Sequence, residues 1–203
     1  MAFSPDGHLL ATGGDDGNVI LWDFTDPTRP RSFGQPLTGH SVSVYSVAFS
    51  PDGLSLATSG GDDRTVILWD LTDPTQPRPF GQPLTDHTGR ILYVLFSPTG
   101  DTLAISSDDG TVILRDVTDP THPRPLGQPL TFPNCGLVSM AFSPDENTLI
   151  TGCDTVIWWD LKDLKSLRSH AIERACALTG GGLGRGQWAR YIRALPYQET
   201  CPA

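Results

Sequence analysis

The sequence predicts an all-β fold: a partial β-propeller of about four four-stranded blades, with a short helical appendage at its C-terminus. Three observations carry this. The phrases AFSPDG, AFSPDG, LFSPTG and AFSPDE place Phe3, Phe49, Phe96 and Phe142 at intervals of 46, 47 and 46 residues. A second phrase follows each: VILWD, VILWD, VILRD and VIWWD, ending at Asp23, Asp70, Asp116 and Asp160. A third, such as TDPTQPRPFGQPLT, starts at Thr25, Thr72 and Thr118 and joins one unit to the next. Three phrases in one fixed order mark a repeat architecture. Units near 1–38, 39–84, 85–131 and 132–160 are each too small to bury both faces alone, so they must stack.

The second unit shows why each segment takes its form. Val44 to Phe49 reads as an inner strand. Pro51-Asp52-Gly53 makes a turn, because Pro fixes φ, Asp bonds its own backbone and Gly accepts φ > 0. Leu54 to Ser59 and Thr65 to Asp70 are the next strands, the latter rich in β-branched residues. The Pro-rich TDPT phrase excludes a helix and leads to a short fourth strand near Phe80 to Leu84. The first unit keeps only Met1 to Ser4 of its inner strand. This reads as the C-terminal piece of a larger repeat protein, or a product truncated at its start.

Composition narrows the function classes. With 38% hydrophobic and 18% charged residues the chain can bury a core. Its net charge of −9 opposes a phosphate backbone, so nucleic acid is not an expected partner. Cys135, Cys153, Cys176 and Cys201 form no CxxC pair, and no His lies at a zinc-ligand offset. No apolar run is long enough for a membrane span, and MAFSPDGHLL is no signal peptide. The expectation is a cytoplasmic protein without metal, cofactor or catalytic residues. The pairs Asp15-Asp16, Asp62-Asp63 and Asp108-Asp109 lack calcium-loop spacing. TGGGLGRG, from Thr179, lacks the Lys-Ser/Thr of a phosphate loop.

Gly39-His40, the SPDG turns, and Trp22-Asp23, Trp69-Asp70 and Trp159-Asp160 resemble the WD-repeat family over roughly residues 1–160. The third unit departs, with Arg115 in place of Trp. The resemblance implies a non-enzymatic platform for other proteins or peptides. It also implies that His40, Ser59, Asp63 and Trp69 form a structural hydrogen-bond chain rather than a hydrolase triad, since no nucleophile elbow surrounds Ser59. The first unit keeps Thr12, Asp16 and Trp22, and the third has His87 and Asp109 but Ile105 for the hydroxyl. The fourth keeps Thr151 and Trp159. Looser third and fourth blades are expected. By the same resemblance, Ser43, Tyr45, Asp62, Arg90, Leu92 and Asp108 face the partner-binding end.

Residues 161–203 leave the repeat. Leu164, Leu167, Ala171, Ala175 and Leu178 fall on one helical face, and Trp188, Tyr191, Ile192 and Leu195 mark a second short helix. This tail resembles one found in actinobacterial WD-repeat proteins, with Cys176 in the first helix and Thr200-Cys201-Pro202 near the end. It is expected to pack on the last blade. A Cys176–Cys201 disulfide is left open by the sequence, and a cytosolic setting argues against it. An open stack exposes apolar faces, which predicts self-association to complete a ring. Two other roles compete with the scaffold: the sensor end of a nucleotide-binding ATPase or kinase signalling protein, and a degenerate remnant.

Overall fold

The computed structural model describes residues 1–132, 139–152 and 155–164. The chain divides into two units, 1–159 and 160–203. In the first, the described residues form four antiparallel sheets. Blade 1 holds β1 (Ala2–Phe3), β2 (Leu9–Gly13), β3 (Val19–Asp23) and β4 (Arg31–Ser32). Blade 2 holds β5 (Val44–Phe49), β6 (Ser55–Gly60), β7 (Thr65–Asp70) and β8 (Arg78–Pro79). Blade 3 holds β9 (Ile91–Phe96), β10 (Thr102–Ser107), β11 (Thr111–Asp116) and β12 (Arg124–Pro125), with β13 (Leu130–Thr131) also paired to β11. Blade 4 holds β14 (Ser139–Phe142), β15 (Thr148–Gly152) and β16 (Val156–Asp160). This is the all-β blade architecture that the repeat predicts.

The fourth strand departs from expectation. Instead of Phe80 to Leu84, a two-residue strand sits at Arg78–Pro79. Beyond it Phe80 N donates to Leu68 O, and Leu84 makes only an isolated bridge to Val66. Pro83 carries no N–H, so this stretch cannot sustain a ladder. In the second unit residues 162–164 are helical, and the rest of the two expected tail helices lies outside the described residues, as do Cys176 and Cys201. Among the described residues no helix is long and apolar enough to cross a membrane.

Alternation along each strand gives every blade two different faces. Ala11, Val19 and Leu21 of blade 1 pack against Val47, Leu56, Ile67 and Trp69 of blade 2. Ala57, Val66 and Leu68 on the other side of blade 2 pack against Val94, Phe96, Leu103 and Ile105 of blade 3. Thus the Val and Leu of VILWD face the following blade, and the Ile and Trp face the preceding one. Burial of these side chains stabilises the joints by roughly 1.5–3 kcal/mol each.

Backbone stitches reinforce one end of the joints. Val44 N donates to Gly14 O at 3.0 Å, and Ile91 N to Gly61 O at 3.3 Å. At the SPDG end each turn is closed by a serine: Ser50 Oγ accepts from Ser55 N at 2.9 Å and lies 2.5 Å from Asp52 Oδ1. Gly100, at φ +82°, lies so near the preceding blade that a Cβ would sit 3.1 Å from Pro51 Cδ. In the AFSPDE turn Glu146 adopts φ 56°, yet its side chain is buried and Oε1 accepts from Thr99 N of blade 3.

Candidate functional site: the blade network and the turn face

Blade 2 carries a continuous polar chain beneath its turn. His40 Nδ1 lies 3.0 Å from Asp63 Oδ2, and His40 Nε2 lies 2.8 Å from Thr58 Oγ1. Trp69 Nε1 donates to the same Thr58 oxygen at 2.9 Å. An ionised Asp63 only accepts, so it fixes the imidazole proton on Nδ1. Nε2 is then left to accept from the Thr58 hydroxyl. Asp63 also accepts from the Thr65 amide at 3.0 Å, the Thr65 hydroxyl at 2.8 Å and the Ser41 amide at 3.2 Å. Burial pushes the Asp63 carboxyl up, but the Thr65 and His40 hydrogen bonds outweigh it and hold the group below the ordinary value. Every member has a partner, so the turn is locked.

The hydroxyl in this chain is Thr58, which corrects the assignment of Ser59. Ser59 Oγ accepts from Ser46 N at 3.0 Å and donates to Ser46 O at 3.4 Å, serving the β5–β6 pairing. The cause is a turn length. Counting ten positions back from Trp22 reaches Thr12, and the same count from Trp69 reaches Ser59. But Thr58 pairs with Ile67 as Thr12 pairs with Ile20, because the blade 2 turn is one residue longer. With Ser59 buried in backbone pairing, no Ser–His pair exists to activate a nucleophile here.

The other blades keep parts of the chain. Trp22 Nε1 donates to Thr12 Oγ1 at 2.9 Å, and Trp159 Nε1 to Thr151 Oγ1 at 3.1 Å. Blade 3 is rebuilt. His87 Nδ1 still lies 3.1 Å from Asp109 Oδ2, and Asp109 also accepts from Thr111 and the Thr88 amide. Burial raises the Asp109 carboxyl, but these bonds and the nearby His87 lower it to about 2. Ile105 stands where Thr58 does, and buried His87 Nε2 has no partner among the described residues. Arg115, buried in place of the Trp, pairs through Nε with Asp86 Oδ2 at 3.0 Å and through Nη2 with Asp86 Oδ1. Asp86 occupies the position of Gly39, where a Cβ would press against Ile67 Cδ1 at 2.8 Å and the Trp69 ring at 3.6 Å. The Asp86 carboxylate neutralises the guanidinium that replaces the indole. The sequence held a signal for this: both exchanges occur in one unit.

The same turns, beside the starts of the β5 and β9 strands, bear the turn face. The β5–β6 register skips from Val44↔Gly60 to Ser46↔Ser59, leaving Tyr45 as the unpaired residue of a bulge. The β9–β10 register likewise leaves out Leu92. A bulge re-aims its side chain, and Tyr45 is 46% exposed. Its ring fills the space a Cβ on Gly61 would need, at 2.7 Å. Arg90 reaches across, with Nε 2.7 Å from Asp108 Oδ2 and 3.9 Å from Asp62 Oδ1, and it lies beside Tyr45. The Asp108 carboxylate holds the Arg90 guanidinium above its ordinary pKa. Ser43 Oγ donates to Asp15 O at 3.3 Å. Tyr45, Asp62, Arg90 and Asp108 therefore form one cluster across blades 2 and 3. Ser43 bridges to blade 1, and Leu92 is half-buried beside the cluster. Among the described residues no group of three or more His, Cys, Asp or Glu could hold a metal ion.

Antiparallel blades, three of four or more strands and one with three described, and an indole–hydroxyl link in three of the blades define a propeller-repeat protein. The chain belongs to the family described as WD domain, G-beta repeat, whose model matches residues 1–23, 31–70, 79–116 and 127–160. It is 43% identical over 53 residues to probable cytosolic iron-sulfur protein assembly protein 1 of Cryptococcus neoformans, covering 25% of this chain and 12% of that one. It is 40% identical over 58 residues to actin-interacting protein 1 of Drosophila melanogaster, covering 29% and 9%. With protein HIR1 of Chaetomium globosum it shares 40% identity over 63 residues, covering 27% and 6%. The chain thus spans only about an eighth or less of the length of these relatives.

Proposed function

We propose that this chain is a non-catalytic WD-repeat scaffold that holds other proteins or peptides on its turn face. The observation that carries this is Tyr45, an exposed aromatic ring set outward by a bulge and pinned over Gly61. A rigid aromatic flanked by hydrogen-bonding groups gives contact area at little entropic cost. Asp62, Arg90 and Asp108 supply the polar rim, with Ser43 and Leu92 at its edges. The names of two relatives, iron-sulfur protein assembly protein and actin-interacting protein, accord with an assembly role. The blade network serves the face by fixing the turn that bears Asp62 and Asp63. The tail phrase Thr200-Cys201-Pro202 supports an actinobacterial type. Self-association to complete a ring belongs to the same reading.

Affinity capture on immobilised chain, read by mass spectrometry, tests the face. Proteins retained by the wild type should be lost with Tyr45→Ala and with Arg90→Ala, and kept with Thr28→Ala on the outer rim. Identical capture by all four would reject the face.

A further inference from the structure

The joint between blades 2 and 3 holds a cleft of about 160 Å³ at the SPDG end, past the ends of β5 and β9. The turn face lies beside the starts of the same strands. The floor of the cleft is apolar, made by the buried side chains of Leu68, Phe96 and Val117. Two carboxylates line it, Asp52 from the blade 2 turn and Asp101 from the blade 3 turn. Among the described residues no basic side chain lines it.

The joint between blades 1 and 2 shows what sets this cleft apart. Ser55 lines the second joint, where the first has Leu9; each pairs with the aspartate that ends its VILWD strand. Val117 stands where the first joint has Leu71, which is buried in the core there. Asp101 stands where the first joint has Leu54: Val117 N donates to Asp101 O as Leu71 N donates to Leu54 O. Two of these exchanges remove bulk and the third brings a carboxylate, all in one joint.

The chemistry of a guest follows from these walls. A cavity of about 150 Å³ takes a benzene-sized group, so this cleft takes one side chain. An apolar floor suits a hydrocarbon stem, and two carboxylates at the rim favour a cation at its tip. The hydrogen bonds that Asp52 accepts from Ser50 Oγ and Leu54 N both fall on Oδ1. Oδ2 remains to accept from a guest. A guanidinium fits better than an ammonium, because its planar fork of donors matches carboxylates and it is less strongly hydrated.

We propose that the cleft between blades 2 and 3 binds an arginine side chain of a partner polypeptide, as a second docking point at the end away from the turn face. The stem lies on Leu68, Phe96 and Val117, and the guanidinium meets Asp52 and Asp101. This goes beyond the scaffold reading and does not depend on Tyr45 or Arg90.

Titration of the full chain with a capped glycine peptide bearing one central arginine, read by amide NMR, tests this. The Gly100, Asp101 and Val117 signals should shift and saturate in the millimolar range, as suits a single side chain. The same peptide with citrulline, close in shape but neutral, should bind about tenfold more weakly. A Ser55→Leu, Val117→Leu variant gives the second joint residues of the first and should abolish the shifts while still unfolding cooperatively. Asp52→Asn keeps an oxygen for the turn and should weaken binding about tenfold; it decides the matter if the double variant does not fold. Tyr45→Ala and Arg90→Ala should leave the titration unchanged. Absent shifts in the wild type, equal binding of arginine and citrulline, or shifts that survive the cleft variants overturn the proposal. A titration abolished by Tyr45→Ala puts the peptide on the turn face and overturns the cleft alone. The turn face has its own test in the capture experiment above, so either site can fail without the other.

Discussion

Blades 2 and 3 share a backbone plan but hold their turns by different chemistry. In blade 2 a continuous chain runs Asp63–His40–Thr58–Trp69, each buried polar atom answered by the next. In blade 3 the chain stops at His87, and a charged pair, Arg115–Asp86, stands where the indole and a glycine stood. The Asp–His half survives in both. The fold therefore requires the carboxylate that closes the turn, and it tolerates two solutions for the strand beneath. A complete network and a half network with an ion pair differ most in how they fail.

The largest effect should come from breaking the full network. Thr58→Val keeps the shape but strips partners from both Trp69 Nε1 and His40 Nε2, costing about 2–4 kcal/mol in denaturant unfolding. A loss below about 1 kcal/mol would show that the chain contributes no stability. Next is Arg115→Ala, which strands a carboxylate whose side chain is 29% exposed. We expect about 2 kcal/mol, with a coupling of about 1–2 kcal/mol to Asp86→Ala in a double-mutant cycle. Independent effects would mean the two charges do not act as a pair.

Acid should weaken both blades through the element they share. Asp63 and Asp109 have folded values below the ordinary 3.8, about 2 for Asp109. Their stabilisation is complete above the unfolded value and is lost as pH falls from about 4 toward 2. Melting temperature should drop across that window, and Asp109→Asn should flatten the fall. An unchanged slope in that variant would remove Asp109 from the account.

Two smaller effects sharpen the contrast. Ser59→Ala should cost about 1 kcal/mol, the worth of its bonds to the Ser46 backbone. If it matched Thr58→Val, Ser59 would have to be returned to the network. Ile105→Thr gives His87 Nε2 a hydroxyl but gives up apolar burial, so stability should move by no more than about 1 kcal/mol. A gain of several kcal/mol would mean that the orphaned nitrogen, not the lost packing, dominates blade 3.

Much of this was legible in the residues. VILWD shows its strand because alternation and β-branching agree, and SPDG shows its turn because three residues ask for it at once. What escaped the sequence was register. A turn longer by one residue slid the hydroxyl from Ser59 to Thr58; counting back from Trp69 misses the slide, whereas the Leu-Ala-Thr phrase shared by Thr12 and Thr58 marks it. Asp86 was legible in principle, since it replaces Gly39 in the unit where Arg115 replaces Trp69. The bulges at Tyr45 and Leu92 were not, because a bulge belongs to two strands at once. The fourth strand was overestimated because Phe80 and Leu84 look apolar, while Pro83 between them denies the ladder a donor.

The Gly100–Pro51 contact has a consequence for modularity. Blades meet there with room for hydrogen and little more, so blade 3 can follow any blade whose turn offers a flat proline. Blade 4 cannot be exchanged so freely. Its Glu146 fills that space with a carboxylate matched to one amide, that of Thr99. A transplanted blade 4 would carry a buried acid in search of the same donor, so the order of the repeats is written into their contacts as well as into the chain.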